Sequence, residues 1–215
     1  MRWLVAAGGG TASADSALTG TDGVARARWT LGTRLDTTHV LVASLGTLAS
    51  VRMTATPQLP GTATITKTAG DAQTDTVGHT VPIAPSVAVK LADARAVVGA
   101  VVTFSVDSGG GSATGMIAIT NASGVATAGG WTLGTSSGSN RLRATVGGLP
   151  PAVFAATAVA GPPALLHAIA GDSQAAFAGT ALPAEPRFRV TDVYGNATPG
   201  IRVDFAVQTG GGAVD

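Results

Sequence analysis

The chain has 215 residues, no cysteine, 12% charged residues and a net charge of +1. Lack of cysteine excludes disulfides and thiolate metal sites. Thirteen basic residues against twelve acidic ones leave no basic stripe to follow a phosphate backbone, which argues against nucleic acid as a partner.

The first run, Met1-Arg2-Trp3-Leu4-Val5, leads into small residues up to Ala12-Ser13-Ala14 and superficially resembles a short signal peptide. Its apolar stretch is too short for that and breaks at Gly8-Gly9-Gly10, so it reads as a strand. No later run reaches the roughly 18 apolar residues of a membrane helix. Next comes Gly23-Val24-Ala25-Arg26-Ala27-Arg28-Trp29-Thr30-Leu31-Gly32-Thr33, which returns as Gly124-Val125-Ala126-Thr127-Ala128-Gly129-Gly130-Trp131-Thr132-Leu133-Gly134-Thr135. The opening glycines, Gly23 and Gly124, stand 101 positions apart. At that period the Gly8–Gly10 triplet returns at 109–111 and 210–212, and Gly70-Asp71-Ala72-Gln73 returns as Gly171-Asp172-Ser173-Gln174. A fixed period marks an array of units. The expectation is one complete unit at 61–160, the back half of a preceding copy at 1–60 and the front half of a third at 161–215. Met1 stands where the later copies have inward-facing Val102 and Val203, so the coding sequence is expected to continue upstream in frame.

Within a unit the apolar residues alternate. Val102, Phe104 and Val106 share one face, as do Val203, Phe205 and Val207, Trp3 and Val5 in the first copy, and Leu142, Ala144 and Val146. Ala152, Phe154, Ala156 and Ala158 supply another inner face, and Val87, Val89 and Leu91 match Phe188, Val190 and Asp192. A period of two is that of half-buried strands. Asp22-Gly23, Asn121-Ala122-Ser123-Gly124, Ser136-Ser137-Gly138-Ser139 and Gly195-Asn196 supply turns. About seven short strands per unit and no helical pattern indicate an antiparallel sandwich. Pro57-Gln58-Leu59-Pro60 and Gly161-Pro162-Pro163 read as short, stiff linkers. The middle copy has one residue more than the first before its Trp, at Gly129-Gly130. A β-bulge is expected there, because an uncompensated insertion would turn every later side chain to the wrong face. The two end fragments are expected to leave inner faces uncovered, with Trp3, Trp29 and Leu41 at one end and Phe188, Val190 and Phe205 at the other.

These motifs resemble the group 1 bacterial immunoglobulin-like domain, the repeat of invasin- and intimin-like surface proteins. The resemblance rests on Gly171-Asp172-Ser173-Gln174, on Val190-Thr191-Asp192-Val193-Tyr194-Gly195-Asn196-Ala197-Thr198-Pro199-Gly200, and on Gly124-Val125-Ala126 with Trp131-Thr132-Leu133-Gly134-Thr135. The middle copy departs from it at Leu91-Ala92-Asp93-Ala94-Arg95, which puts that turn's geometry in question. The resemblance implies an all-β fold of tandem immunoglobulin-like antiparallel β-sandwiches. It also implies a non-catalytic stalk or spacer in cell adhesion, at the cell surface or outside the cell. Its partners would be neighbouring repeats of the same chain, with any host protein or glycan met through other parts. The alternative is a carbohydrate- or protein-binding accessory module of a larger secreted enzyme, which an exposed aromatic cluster would favour.

No catalytic, cofactor or metal residue is assigned. His39, His79 and His167 have Asn140, Thr180 and Thr66 at the equivalent positions, so no copy reuses another's histidine. A Ser-His-Asp arrangement would need orienting partners that nothing in the sequence indicates. The glycine triplets lack a following Gly-Lys-Ser/Thr and read as flexible turns, not a phosphate loop. Asp71, Asp75, Asp93 and Asp107 could lie near a junction, but no dense Asp/Asn run offers calcium its six to eight oxygens. Asn121-Ala122-Ser123 and Asn196-Ala197-Thr198 match the glycosylation pattern within turns already rich in such residues. Trp29 and Trp131 fall on inner faces, which points to core packing before sugar stacking.

Overall fold

The computed structural model describes residues 1–214. Among them there are strands and turns but no helix. The first copy contributes β1 (Arg2–Ala7), β2 (Gly10–Ala12), β3 (Trp29–Leu31), β4 (His39–Leu45) and β5 (Ala49–Ala55). The middle copy contributes β6 (Thr64–Ala69), β7 (Gln73–Thr76), β8 (Ser86–Lys90), β9 (Val101–Ser108), β10 (Ser112–Thr114), β11 (Ile117–Ile119), β12 (Val125–Thr127), β13 (Gly130–Thr132), β14 (Gly138–Val146) and β15 (Ala152–Val159). The third contributes β16 (Leu165–Ala170) and β17 (Arg187–Thr191).

The middle copy is an immunoglobulin-like sandwich. A five-stranded sheet in the order β11-β9-β14-β15-β7 lies against a three-stranded sheet in the order β12-β8-β6, with the short pair β10-β13 alongside. Each sheet turns a largely apolar face to the other, and neither is stable until that face is covered. Val102, Phe104, Leu142, Ala144 and Phe154 come from the larger sheet, Val87, Val89 and Ala126 from the smaller, and Trp131 joins them from β13. They form one continuous core with residues from Ala63 to Ala158. The short second strand and the last strand of the unit are also tied: β7 pairs in parallel with β15, from Gln73 beside Ala156 to Thr76 beside Val159.

The extra residue at Gly129-Gly130 is absorbed, but between two ladders and not within one. β12 pairs with β8, setting Ala126 opposite Val87, whereas β13 pairs with β10, setting Trp131 opposite Ala113. The chain changes partner between them: Ala128 N–H donates to Pro85 O and Gly129 N–H to Thr114 O. Ala126 and Ala128 stay inside before the change, and Trp131 and Leu133 after it.

The end copies differ from each other. In the first, β1-β4-β5 forms a sheet and the β2-β3 pair folds beside it. Trp3, Leu41 and Ala43 are buried there, with Trp29 packed against them, so this face is largely covered by its own hairpin. In the third, only the β16-β17 pair forms, and Phe188 and Phe205 remain exposed with ring centroids 5.5 Å apart. Residues 203–207, expected as a strand, are not one. Their counterpart β9 is held between β14 and β11, whereas residues 203–207 pair with no strand among the described residues.

The turn at Leu91–Arg95 keeps its geometry despite its departure from the motif. Leu91 N–H donates to Arg95 O and Ala94 N–H to Leu91 O, the same two bonds that Asp192 and Gly195 make one period later. Ala94 therefore adopts φ 67°, where the third copy has Gly195 at φ 85°. A side chain in that left-handed region costs about 1–2 kcal/mol. Replacing Ala94 with glycine should raise the stability of the sandwich by about 1 kcal/mol. Leu142→Ala, which opens a cavity in the core, should lower it by about 2–5 kcal/mol. Urea denaturation followed by circular dichroism measures both.

Candidate functional site: the two junctions between copies

The loop that follows Trp-Thr-Leu-Gly in the first and middle copies ends at a junction. There it presents an N–H and a C=O that its own copy does not use. At the first junction these belong to Leu35 and Thr33, at the second to Ser137 and Thr135. Polar backbone groups removed from water need partners, and the two junctions supply them differently.

At the first junction the partner is backbone. Leu35 N–H donates to Val98 O at 2.7 Å, and Val98 N–H donates to Thr33 O at 3.2 Å. The surroundings are apolar: Leu35, Leu59 and Leu91 pack against the core of the middle copy. At the second junction Pro199 stands where Val98 would be and has no N–H to give. The side-chain amide of Asn196 takes over both roles. Its Oδ1 accepts from Ser137 N–H at 2.8 Å and its Nδ2 donates to Thr135 O at 2.8 Å. An Asn side chain carries the same donor and acceptor as a peptide unit, so one amide substitutes for another.

Asp192 holds that amide in place. It accepts from Asn196 Nδ2 at 2.8 Å, from Tyr194 N–H and Asn196 N–H at 2.9 Å, and from the linker's Gly161 N–H at 2.9 Å. The residue is fully shielded from solvent. Burial alone would push its carboxyl up, but the bonds from the Asn196 side chain and the Gly161, Asn196 and Tyr194 amides outweigh it and hold the group below the usual carboxylate range. One period earlier Leu91 replaces Asp192 and Pro60 replaces Gly161. Acceptor and donor are thus lost together, and both junctions remain internally matched.

The other candidate residues are structural ties. His39 is buried, with Nδ1 accepting from Gly32 N–H at 3.3 Å and Nε2 donating to Arg34 O at 2.9 Å. Its counterpart Asn140 makes the same kind of tie, accepting from Gly134 N–H at 3.0 Å and donating to Gly138 O. The glycine triplets of the first two copies are turns with positive φ, as expected, but their outer glycines are also tight approaches, while Gly9 and Gly110 meet no close neighbour. A β-carbon at Gly109 would stand 2.6 Å from the Asn140 side chain, and one at Gly111 would stand 2.1 Å from Thr132 O. His79 is exposed beside Asp75, 3.7 Å away, and lines the groove at the second junction with Asp192 and Tyr194; His167 lies on exposed β16.

The carboxylates are each engaged locally. Asp71 accepts from Ala155 N–H and pairs with Lys67, Asp93 pairs with Arg95 at 2.7 Å, and Asp107 with Arg143 at 2.8 Å. Among the described residues no three His, Cys, Asp or Glu side chains gather as metal ligands would. Trp131 is wholly buried and Trp29 half-buried. Asn121 caps its own turn, accepting from Ser123 and Val125 N–H. The role of Asn196 was not read from the sequence. The signal was present in the pairing of Asn196 with Pro199 where the other junction has Arg95 with Val98.

No known family profile and no curated protein matches the chain. Solved structures do match. One is of FdeC, described as a broadly conserved Escherichia coli adhesin, with 21% identity, a TM-score of 0.49 and coverage of 93% of this chain and 64% of that one. Another is InvD of Yersinia pseudotuberculosis, with 15% identity, a TM-score of 0.45 and coverage of 91% and 60%. The D00-D0 domain of intimin matches at 17% identity and a TM-score of 0.32 over 72% of this chain and 84% of that one. An adhesin and an intimin segment are thus among the structures it resembles. The chain spans less than two thirds of the first two.

The second junction should respond to acid where the first does not. Asp192 titrates below its unfolded value of about 3.9, so its contribution is complete above that pH and is lost as the pH falls through the lower folded value. Spin labels on Ser139→Cys and Ala181→Cys span this junction, and labels on Thr38→Cys and Ser123→Cys span the first. The distance distribution across the second should broaden in acid while that across the first stays narrow. Broadening of both at the same pH would contradict the assignment.

Proposed function

We propose that the chain is a load-bearing spacer segment of a bacterial surface or secreted protein. In this reading residues 61–160 form one complete unit between the back half of a preceding unit at 1–60 and the front half of the next at 161–215. The segment is non-catalytic, and its immediate partners are neighbouring repeats of the same chain. Work at the cell surface or outside the cell follows from the sequence resemblance.

The parallel pairing of β7 with β15 carries this reading. Tension along an array enters the middle unit through β6, which pairs antiparallel with β8 in the other sheet, then acts between β7 and β15 and leaves after β15. Because the two strands run the same way, that pull slides one along the other and loads their hydrogen bonds together. Antiparallel terminal strands would instead unzip one bond at a time. The matched junctions add to this by tying each linker to the next unit, through Leu59 packed on the middle core and through the Gly161 to Asp192 hydrogen bond. The reading as a carbohydrate-binding module gains less: Trp3 and Trp131 are buried, and the exposed pair Phe188 and Phe205 lies at positions whose middle-copy counterparts Val87 and Phe104 are core.

Pulling single molecules from their two ends tests the proposal. The middle unit should give one discrete rupture that releases on the order of 350 Å of contour, the extended length of about 100 residues. Extension without a force peak would overturn the mechanical reading.

A further inference from the structure

The edge strand β11 of the middle copy is built unlike a protected edge. Proteins blunt sheet edges with charge, proline or cover. The opposite edge of the same sheet, β7, carries Asp75. By contrast, no charged residue occurs anywhere between Asp107 and Arg141, and β11 lies within that stretch. Its solvent face is apolar: Ile117 is 70% exposed and Ile119 60%, with Val101 55% exposed beside Ile119 on β9.

The backbone of this edge is also available. Phe104 N–H donates to Met116 O and Thr120 N–H to Ala100 O, which makes the even-numbered residues of the strand the bonded partners of β9. By the alternation of an antiparallel ladder, the N–H and C=O groups of Ile117 and Ile119 point away from β9. Among the described residues β11 has no other strand partner.

We propose that β11 docks against β11 of a second copy of this chain, in antiparallel pairing about a twofold axis at Ala118. That register sets Ile117 opposite Ile119 of the other copy, and Ile119 opposite Ile117. Both are residues whose backbone groups point outward, so each opposed pair forms two hydrogen bonds. The two exposed isoleucines of one chain then cover those of the other on a single face. A twofold contact must be complementary to itself, and an uncharged strand with isoleucines symmetric about its centre satisfies that. The five-stranded sheet continues into its partner, joining two arrays side by side. The contact is small compared with the roughly 1,200 Å² of a stable interface, so it is weak and reversible in one pair of chains. It becomes effective where many chains are held close together.

The first copy contains its own control. Trp3 N–H donates to Asp15 O at 2.7 Å, as Phe104 N–H does to Met116 O, so residues 15–18 form the same edge. There Asp15 and Ser16 replace Met116 and Ile117. The same fold therefore accommodates a charged edge, and the double variant M116D/I117S copies a sequence that this chain already carries.

Sedimentation equilibrium of the full chain up to about 1 mM, the affinity range of weak contacts, tests the proposal. The wild type should form dimers, and M116D/I117S should weaken them by about tenfold or more with an unchanged thermal melt, one factor of ten being 1.4 kcal/mol. Identical behaviour of the two proteins, whether both are monomeric or both associate alike through the exposed third copy, overturns the proposal. A second arm reads the register. The chain has no native cysteine, so chains carrying Ile117→Cys or Ile119→Cys can be mixed and oxidised. With the two variants mixed equally, disulfide-linked heterodimers should outnumber both homodimers together, and heterodimers no more abundant than the two homodimers combined, the statistical mixture, would exclude the proposed twofold axis.

Discussion

Each of the first two copies leaves one N–H and one C=O unpaired on the loop behind Trp29 or Trp131, and the next copy must satisfy both. This demand ties one unit to another. At Leu35 and Thr33 it is met by the backbone of Val98, at Ser137 and Thr135 by the side-chain amide of Asn196. The surrounding substitutions follow from that choice. Where the backbone serves, Leu35, Leu59 and Leu91 close the joint by apolar contact. Where a side chain serves, it needs an orienting group, and Asp192 takes that place while also binding the linker through Gly161. A lone change would be costly: a leucine at 192 would leave the Gly161 N–H and the Asn196 amide without their acceptor, and unmatched polar groups cost about 1–3 kcal/mol each.

Much of the fold was legible in the sequence because two independent periods agree. Alternation by two placed Phe104, Leu142, Ala144 and Phe154 inside, and the 101-residue repeat identified the same positions in the other copies. What the repeat could not convey was dependence on partners. Residues 203–207 have the alternation of a strand but lack the neighbour that makes β9 one. Trp3 and Leu41 have the pattern of an uncovered face, yet the β2-β3 hairpin covers them. The glycine triplet looked like slack, although Gly109 and Gly111 are required by close approach to Asn140 and Thr132. Asn196 was hardest to place, since it looks like an ordinary turn residue and its contacts lie some 60 positions away along the chain.

The design divides its work between cores and joints. The sandwich core resists unfolding by burying one face of each sheet, and the parallel β7-β15 pairing ties a strand near the start of the unit to its last strand. The joints add few contacts, but those contacts are directional and use groups that would otherwise be unsatisfied. The turn at 91–95 recurs at 192–196 with the same backbone bonds, while each joint is set by a handful of residues. Ala94 shows how far the framework persists: the turn retains its hydrogen bonds even where glycine is absent and a left-handed alanine must be tolerated.

Amide hydrogen exchange at Leu35 and Ser137, resolved by NMR, tests this account most directly. Both amides lie in exposed loops and are bonded only across a junction, one to backbone and one to a side chain. The account predicts that both are protected in the wild type. In Asn196→Ala the Ser137 amide should exchange as a free loop amide does, while the Leu35 amide is unchanged. A Ser137 amide that exchanges freely in the wild type, or that stays protected in Asn196→Ala, would contradict it.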